Sequence, residues 1–322
     1  MATSPPPPLL LPLGMSDFRK LRQPGVLYID KTDFVTQVLA APREVVLVPR
    51  PRRFGKTVNL STVRCFVEKS KEDRSALFEG LSVWGSAAAR EHYQRYPVIW
   101  LSFKDIKART FDEAFKAIRR EICRAYEEHT YLLDAGALRS QQASRFSEIL
   151  NAEGPEDLYA ESLRELSRHL ARYHGERVFI LIDEYDTPIH AIDKGKEEER
   201  LLDFFRVFLS GGLKDNSHLA RGVLTGILRV AKESLFSGLN NLVVYSLIRP
   251  ECATCFGFTG WSRPTSQTSP VRSCCRTGGS RFEGCCARSG GSGGSTARRS
   301  FPRHPTTRWP HSSCSWHFSS AS

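Results

Sequence analysis

Residues 260–322 contain no lysine and no aspartate, and Glu283 is their only acid. Against it stand nine arginines, so this stretch carries +8 of the chain's +11. The remaining 259 residues hold thirty-seven basic and thirty-four acidic side chains, a net of +3. The high isoelectric point therefore describes the end of the chain. It gives no ground for reading the earlier part as a basic nucleic-acid binder, although a basic tail without a fold retains weak affinity for nucleic acid. Long apolar runs are missing too. No stretch approaches the roughly 18 apolar residues of a membrane-crossing helix. The opening MATSPPPPLLLPLG lacks the basic start of a signal peptide. Cysteine is scarce before residue 260, where only Cys65, Cys123, Cys252 and Cys255 occur. Cys252 and Cys255 form a lone CxxC with no second pair or His partner motif, which argues against a zinc framework or a disulfide scaffold. A reduced, cytoplasmic protein without a membrane role is the expectation.

What is present centres on Val45 to Thr57, VVLVPRPRRFGKT. An apolar run, a basic turn and Gly55-Lys56-Thr57 predict a strand, a phosphate-gripping loop and the start of a helix. Backbone N–H groups at such a junction attract anions. In this pattern the lysine reaches the β- and γ-phosphates and the threonine hydroxyl ligates Mg²⁺. The first glycine of the GxxxxGK[ST] pattern would fall at position 50, which is Arg50, and Pro49, Pro51, Arg52 and Arg53 stiffen and charge the loop.

Further along, Val178 to Asp186 reads VFILIDEYD, a buried parallel strand with acids at its carboxyl end, where open α/β sheets bind ligands. Asp183 there suits Mg²⁺, a hard cation that takes oxygen ligands, and Glu184 suits the polarising of an attacking water. Val26 to Ile29, Pro97 to Phe103, Gly222 to Leu228 and Leu242 to Leu247 also read as strands. Asp112 to Leu133, Glu156 to Tyr173 and Leu201 to Leu213 have helical spacing. Phe78 to Trp84 reads as turns, and Asp134 to Gly154 is polar and ambiguous. Strands alternating with helices predict a parallel sheet with helices on both faces and right-handed crossovers. Several positions keep two readings. Asp30-Lys31-Thr32 either touches nucleotide or caps a helix. Thr225 either senses the γ-phosphate or is a satisfied core threonine. Arg229 either contacts phosphate as an arginine finger or makes a surface salt bridge.

In order, GMSDF, YIDKT, RPRRFGKT, VFILIDEYD, ARGVLTGILRVAKESLFSGLNNL and CFGFT resemble the predicted AAA-ATPase-like family, over roughly Leu13 to Thr259. The family is mostly bacterial and archaeal, and Arg at the position of Arg50 is usual in it. The resemblance implies an α/β three-layer P-loop NTPase fold with strand order 5-1-4-3-2. It also implies ATP and Mg²⁺ as ligands, held by Arg52, Arg53, Phe54, Gly55, Lys56, Thr57 and Thr225. Thr57 and Asp183 would bind the metal, and Glu184, Lys56 and Arg229 would serve catalysis.

Family members typically continue into a PD-(D/E)XK nuclease-like domain. Here the text after Thr259 turns rich in Arg, Ser, Gly and Cys, as a shifted frame or degraded gene end would. The expected organisation is a Pro-rich unstructured extension over 1–13 (or translation from Met15), an ATPase module over 14–259 and a basic unstructured tail over 260–322. The expected function is Mg²⁺-dependent ATP hydrolysis that drives or gates a protein partner or a second copy. The alternatives are a nucleotide switch or scaffold that does not hydrolyse, or a truncated, inactive product.

Overall fold

Apolar, β-branched runs too short for helices build the centre of the molecule. The computed structural model describes residues 10–227, 235–236, 240–246, 255–256 and 264–265. The chain divides into Met1–Ser269 and Pro270–Ser322, and every described residue lies in the first unit. Five strands, β1 (Val45–Pro49), β2 (Val98–Ser102), β3 (Val178–Asp183), β4 (Leu219–Gly226) and β5 (Leu242–Val244), form one sheet. All its pairings are parallel. The order is β2-β3-β4-β1-β5, which from the β5 edge reads 5-1-4-3-2.

Both faces of the sheet are covered, as the near-continuous apolar strands require. Side chains alternate across it. Val45, Leu47, Val178, Ile180 and Ile182 enter one core with helices α3 (Phe111–Glu127), α5 (Glu156–His174) and α7 (Lys196–Leu213). Val46, Val48, Phe179 and Leu181 enter a second core with α1 (Asp33–Leu39) and α2 (Lys56–Val67). Helix ends follow local chemistry. The Thr110 hydroxyl accepts from the Glu113 N–H and starts α3, and α5 runs until Gly175, whose φ of 67° leaves the helix.

The elements differ from expectation at several edges. The ambiguous stretch after Asp134 contains α4 (Ser140–Leu150), which buries only Phe146 and Ile149. Phe78 to Trp84 runs into a short helix, Ser82–Gly85. The strand expected at Val26 to Ile29 shrinks to Tyr28–Ile29, which pairs antiparallel with Pro264–Thr265 outside the main sheet. Pro264–Thr265 lies within the stretch read as an unstructured tail. Within the stretch read as an unstructured extension, Leu10 bridges to Val26. The Leu10 N–H donates to the Gly25 carbonyl at 2.7 Å and the Leu27 N–H to the Leu10 carbonyl at 2.9 Å. Among the described residues, no helix is long and apolar enough to cross a membrane.

Candidate functional site

The carboxyl ends of β1, β3 and β4 meet because β4 lies between the other two. The loop Arg50–Gly55 leaves β1 there and ends in two left-handed residues, Arg53 (φ 67°) and Gly55 (φ 74°). Glycine adopts that conformation without strain, and α2 begins at the next residue, Lys56. Arg52, Arg53, Phe54 and Gly55 are exposed, whereas Lys56 is buried. Lys56 Nζ donates to the carbonyls of Arg50 at 2.9 Å and Pro51 at 3.2 Å, so it braces the loop from within.

Asp183, the last residue of β3, is fully buried. Its two oxygens accept from two hydroxyls, Thr57 Oγ1 at 2.8 Å and Thr225 Oγ1 at 2.5 Å. Thr225 Oγ1 also accepts from the Glu184 N–H at 3.3 Å. One chain of hydrogen bonds thus joins the start of α2, the end of β3 and the end of β4. Lys56 belongs to the same cluster electrically. Burial pushes its ammonium below the ordinary lysine range. The carboxylates of Glu184, Asp183 and Asp186 oppose that shift, while Arg52 adds to it. The lysine and the acids, more than 120 residues apart in sequence, therefore lie within electrostatic reach of one another.

The structure brings together Lys56, Thr57, Asp183, Glu184 and Thr225. Arg52, Arg53 and Phe54 are exposed residues of the loop that precedes Lys56. Arg229 lies outside the described residues. Of YIDKT, Asp30 and Thr32 are engaged elsewhere. Asp30 accepts from the Thr32 N–H at 2.8 Å and the Ser82 N–H at 2.7 Å, and the Thr32 hydroxyl accepts from the Val83 N–H at 3.2 Å. Those two residues thus tie the start of α1 to the helix at Ser82. Lys31 instead borders a cavity of about 710 Å³ beside the loop, walled also by Leu11, Leu13, Tyr28, Phe54 and Val58.

Three residues have roles that the sequence alone did not show. Arg50 is almost wholly buried and donates to the carbonyls of Pro49 at 3.0 Å and Tyr245 at 2.6 Å. Its guanidinium lies 4.7 Å from the centre of the Phe256 ring. Arg50 thus ties the loop to the chain beyond β5, a role with no local signal. Asp186, fully buried, accepts from the Ile227 N–H at 2.8 Å and pairs with His190 Nε2 at 3.3 Å. Thr187, also buried, donates to Glu184 Oε2 at 3.1 Å. The last two sit within or beside the acid-rich run already singled out. Gly226 permits this crowding, because a Cβ there would lie 2.7 Å from Tyr185 Cε1 and 2.9 Å from Asp186 Cγ.

Among the described residues, no cluster of three His, Cys, Asp or Glu side chains suits a metal held by protein alone. The pair Thr57 and Asp183 fits a different demand. Two hard oxygen donors 2.8 Å apart suit Mg²⁺, which binds through one or two protein oxygens and keeps several waters.

Comparison with known proteins places the chain in a family. The chain is 29% identical over 254 residues to a protein of Azotobacter chroococcum mcd 1 described as "Uncharacterized protein in vnfD 5'region". The match covers 77% of this chain and 43% of that relative, so the chain spans less than half of the relative's length. The family model described as "Predicted AAA-ATPase" matches residues 12–236, which include the loop, the acid pair and all but the last strand of the sheet. The chain belongs to the predicted AAA-ATPase family.

Proposed function

We propose that the chain binds ATP together with Mg²⁺ and hydrolyses it, and that the cycle drives or gates a partner. The observation that carries this reading is the hydrogen bond from Thr57 to Asp183, with Lys56 within electrostatic reach of the same carboxylates. It joins the first turn after a phosphate-type loop to the acid at the end of β3, the pairing that P-loop NTPases use. In this reading the loop N–H groups, Arg52, Arg53 and Lys56 take the phosphates, Phe54 borders the nucleoside, and Thr225 monitors the γ-phosphate. Thr57 and Asp183 would hold Mg²⁺, which when bound neutralises charge on the phosphate oxygens. Glu184 acts as the general base toward water. ATP rather than GTP follows from the family. The cavity beside the loop offers room for a nucleoside.

The test is binding of MgATP by the full chain, followed by turnover. Lys56→Ala should weaken MgATP binding by about tenfold or more, as loss of a charge-assisted phosphate contact does. Glu184→Gln should keep binding and lose turnover. ATP bound but not cleaved by the unmodified chain would favour a nucleotide switch. Turnover indifferent to both substitutions would overturn the assignment.

A further inference from the structure

Glu184 is held from two sides. Its N–H donates to Thr225 Oγ1, and one carboxylate oxygen, Oε2, accepts from Thr187 Oγ1 at 3.1 Å. The turn between them closes through the Thr187 N–H and the Glu184 carbonyl, also at 3.1 Å. Glu184 has φ 51°, a left-handed conformation uncommon for a residue with a side chain. Strain of that kind gathers at functional sites. The turn folds back so that the carboxylate meets the hydroxyl that opens α6 (Thr187–Ala191). Thr187 is 7% exposed and Glu184 half-buried, so a fixed group holds a more accessible one. A glutamate rotates freely about three side-chain bonds. Anchoring one oxygen limits the directions in which the other can point.

We propose that Thr187 is a positioning residue, whose hydroxyl fixes the Glu184 carboxylate in the orientation from which it takes a proton from the attacking water. This rests on the hydrolytic reading above. In that step the water oxygen bonds to the γ-phosphorus, and the bond from that phosphorus to the β–γ bridging oxygen breaks. The water proton passes to Glu184, and ADP and inorganic phosphate result. Thr187 exchanges no proton and touches no reacting atom.

Two substitutions separate the hydroxyl from the shape of the side chain. Thr187→Val keeps the shape and removes the donor, and Thr187→Ser keeps the donor and removes the methyl. With the full chain, Thr187→Val should lower kcat about tenfold, the effect of losing one hydrogen bond to a charged group. KM and affinity for MgATP should stay within about twofold, and Thr187→Ser should restore kcat. A second readout needs no turnover. MgADP with aluminium fluoride mimics the transition state, and Thr187→Val should weaken that complex while leaving MgADP affinity unchanged. Turnover in Thr187→Val equal to or faster than in the unmodified chain overturns the proposal, as does loss of MgATP affinity in parallel with kcat. Failure of Thr187→Ser to rescue overturns it too, since packing rather than the donor would then be at work. An unmodified chain that binds MgATP but shows neither turnover nor an aluminium fluoride complex overturns the hydrolytic reading itself, and Thr187's role with it.

Discussion

Arg50 occupies the position at which the GxxxxGK[ST] pattern has its first glycine, and the structure shows what it does there. The backbone at this position is not left-handed, so glycine's conformational freedom is not needed. The guanidinium is buried against the Tyr245 carbonyl and the Phe256 ring instead. Arg50→Gly would match the general pattern better and yet should cost about 3 kcal/mol of stability. It removes charge-assisted hydrogen bonds and a cation–π contact and leaves a buried carbonyl without its donor. Urea unfolding of the two chains checks this, and an unchanged midpoint would refute it. Lys56, Thr57, Asp183 and Glu184 were readable because each sits in a short, ordered motif. Arg50 was not, because its partner Tyr245 is 195 residues away, and no local pattern encodes so remote a contact.

At the scale of elements, strands were legible as apolar runs, and β1, β2 and β3 appear within a residue or two of where those runs lie. Helix α4 was not, because SQQASRFSEIL is mostly polar and buries only two apolar side chains, Phe146 and Ile149. Its place is set by packing against α3 and α5. The contact of α5 with α7 is closer still. A Cβ on Gly212, in the last turn of α7, would lie 2.5 Å from Leu163 Cγ and Cδ2 on α5. Gly212→Ala gains up to about 1 kcal/mol in helix propensity. It forces apart two buried helices, a change that costs roughly 1–3 kcal/mol. We expect a net loss, read as a lower melting temperature. Stabilisation would mean that Leu163 turns aside without strain.

For the molecule as a whole, two buried histidines contribute to the response to acid. The Val98 carbonyl can only accept, so His129 Nε2 carries the proton in their 3.1 Å contact. Nδ1 is then left to accept from the Tyr131 hydroxyl at 3.1 Å, and that oxygen accepts from His174 Nε2 at 2.8 Å. Burial lowers the pKa of His129 to about 4, opposed by the bond to Val98. His169 also falls to about 4, by burial and then by the charges of Arg168 and Arg172. Both folded values lie below the unfolded value of 6.5, so the unfolded chain binds protons first as pH drops. The stability they contribute is whole above about pH 6.5 and is lost progressively from there to about pH 4, by up to roughly 3 kcal/mol for each histidine. Unfolding free energy measured at intervals over this range should fall, and His129→Gln should flatten the fall. A profile level down to pH 4.5 would contradict the assignment.

The neighbours of β1 arrive late. Val45 is in register with Gly222 on one side and Leu242 on the other. During synthesis the ribosome adds residues at about 5–20 per second, so the strand that bears the loop waits roughly ten seconds or longer before either flank exists. Until then its apolar residues have no sheet to join, and chaperone capture or aggregation can compete with folding. A strand made early in translation is thus flanked only by strands made much later.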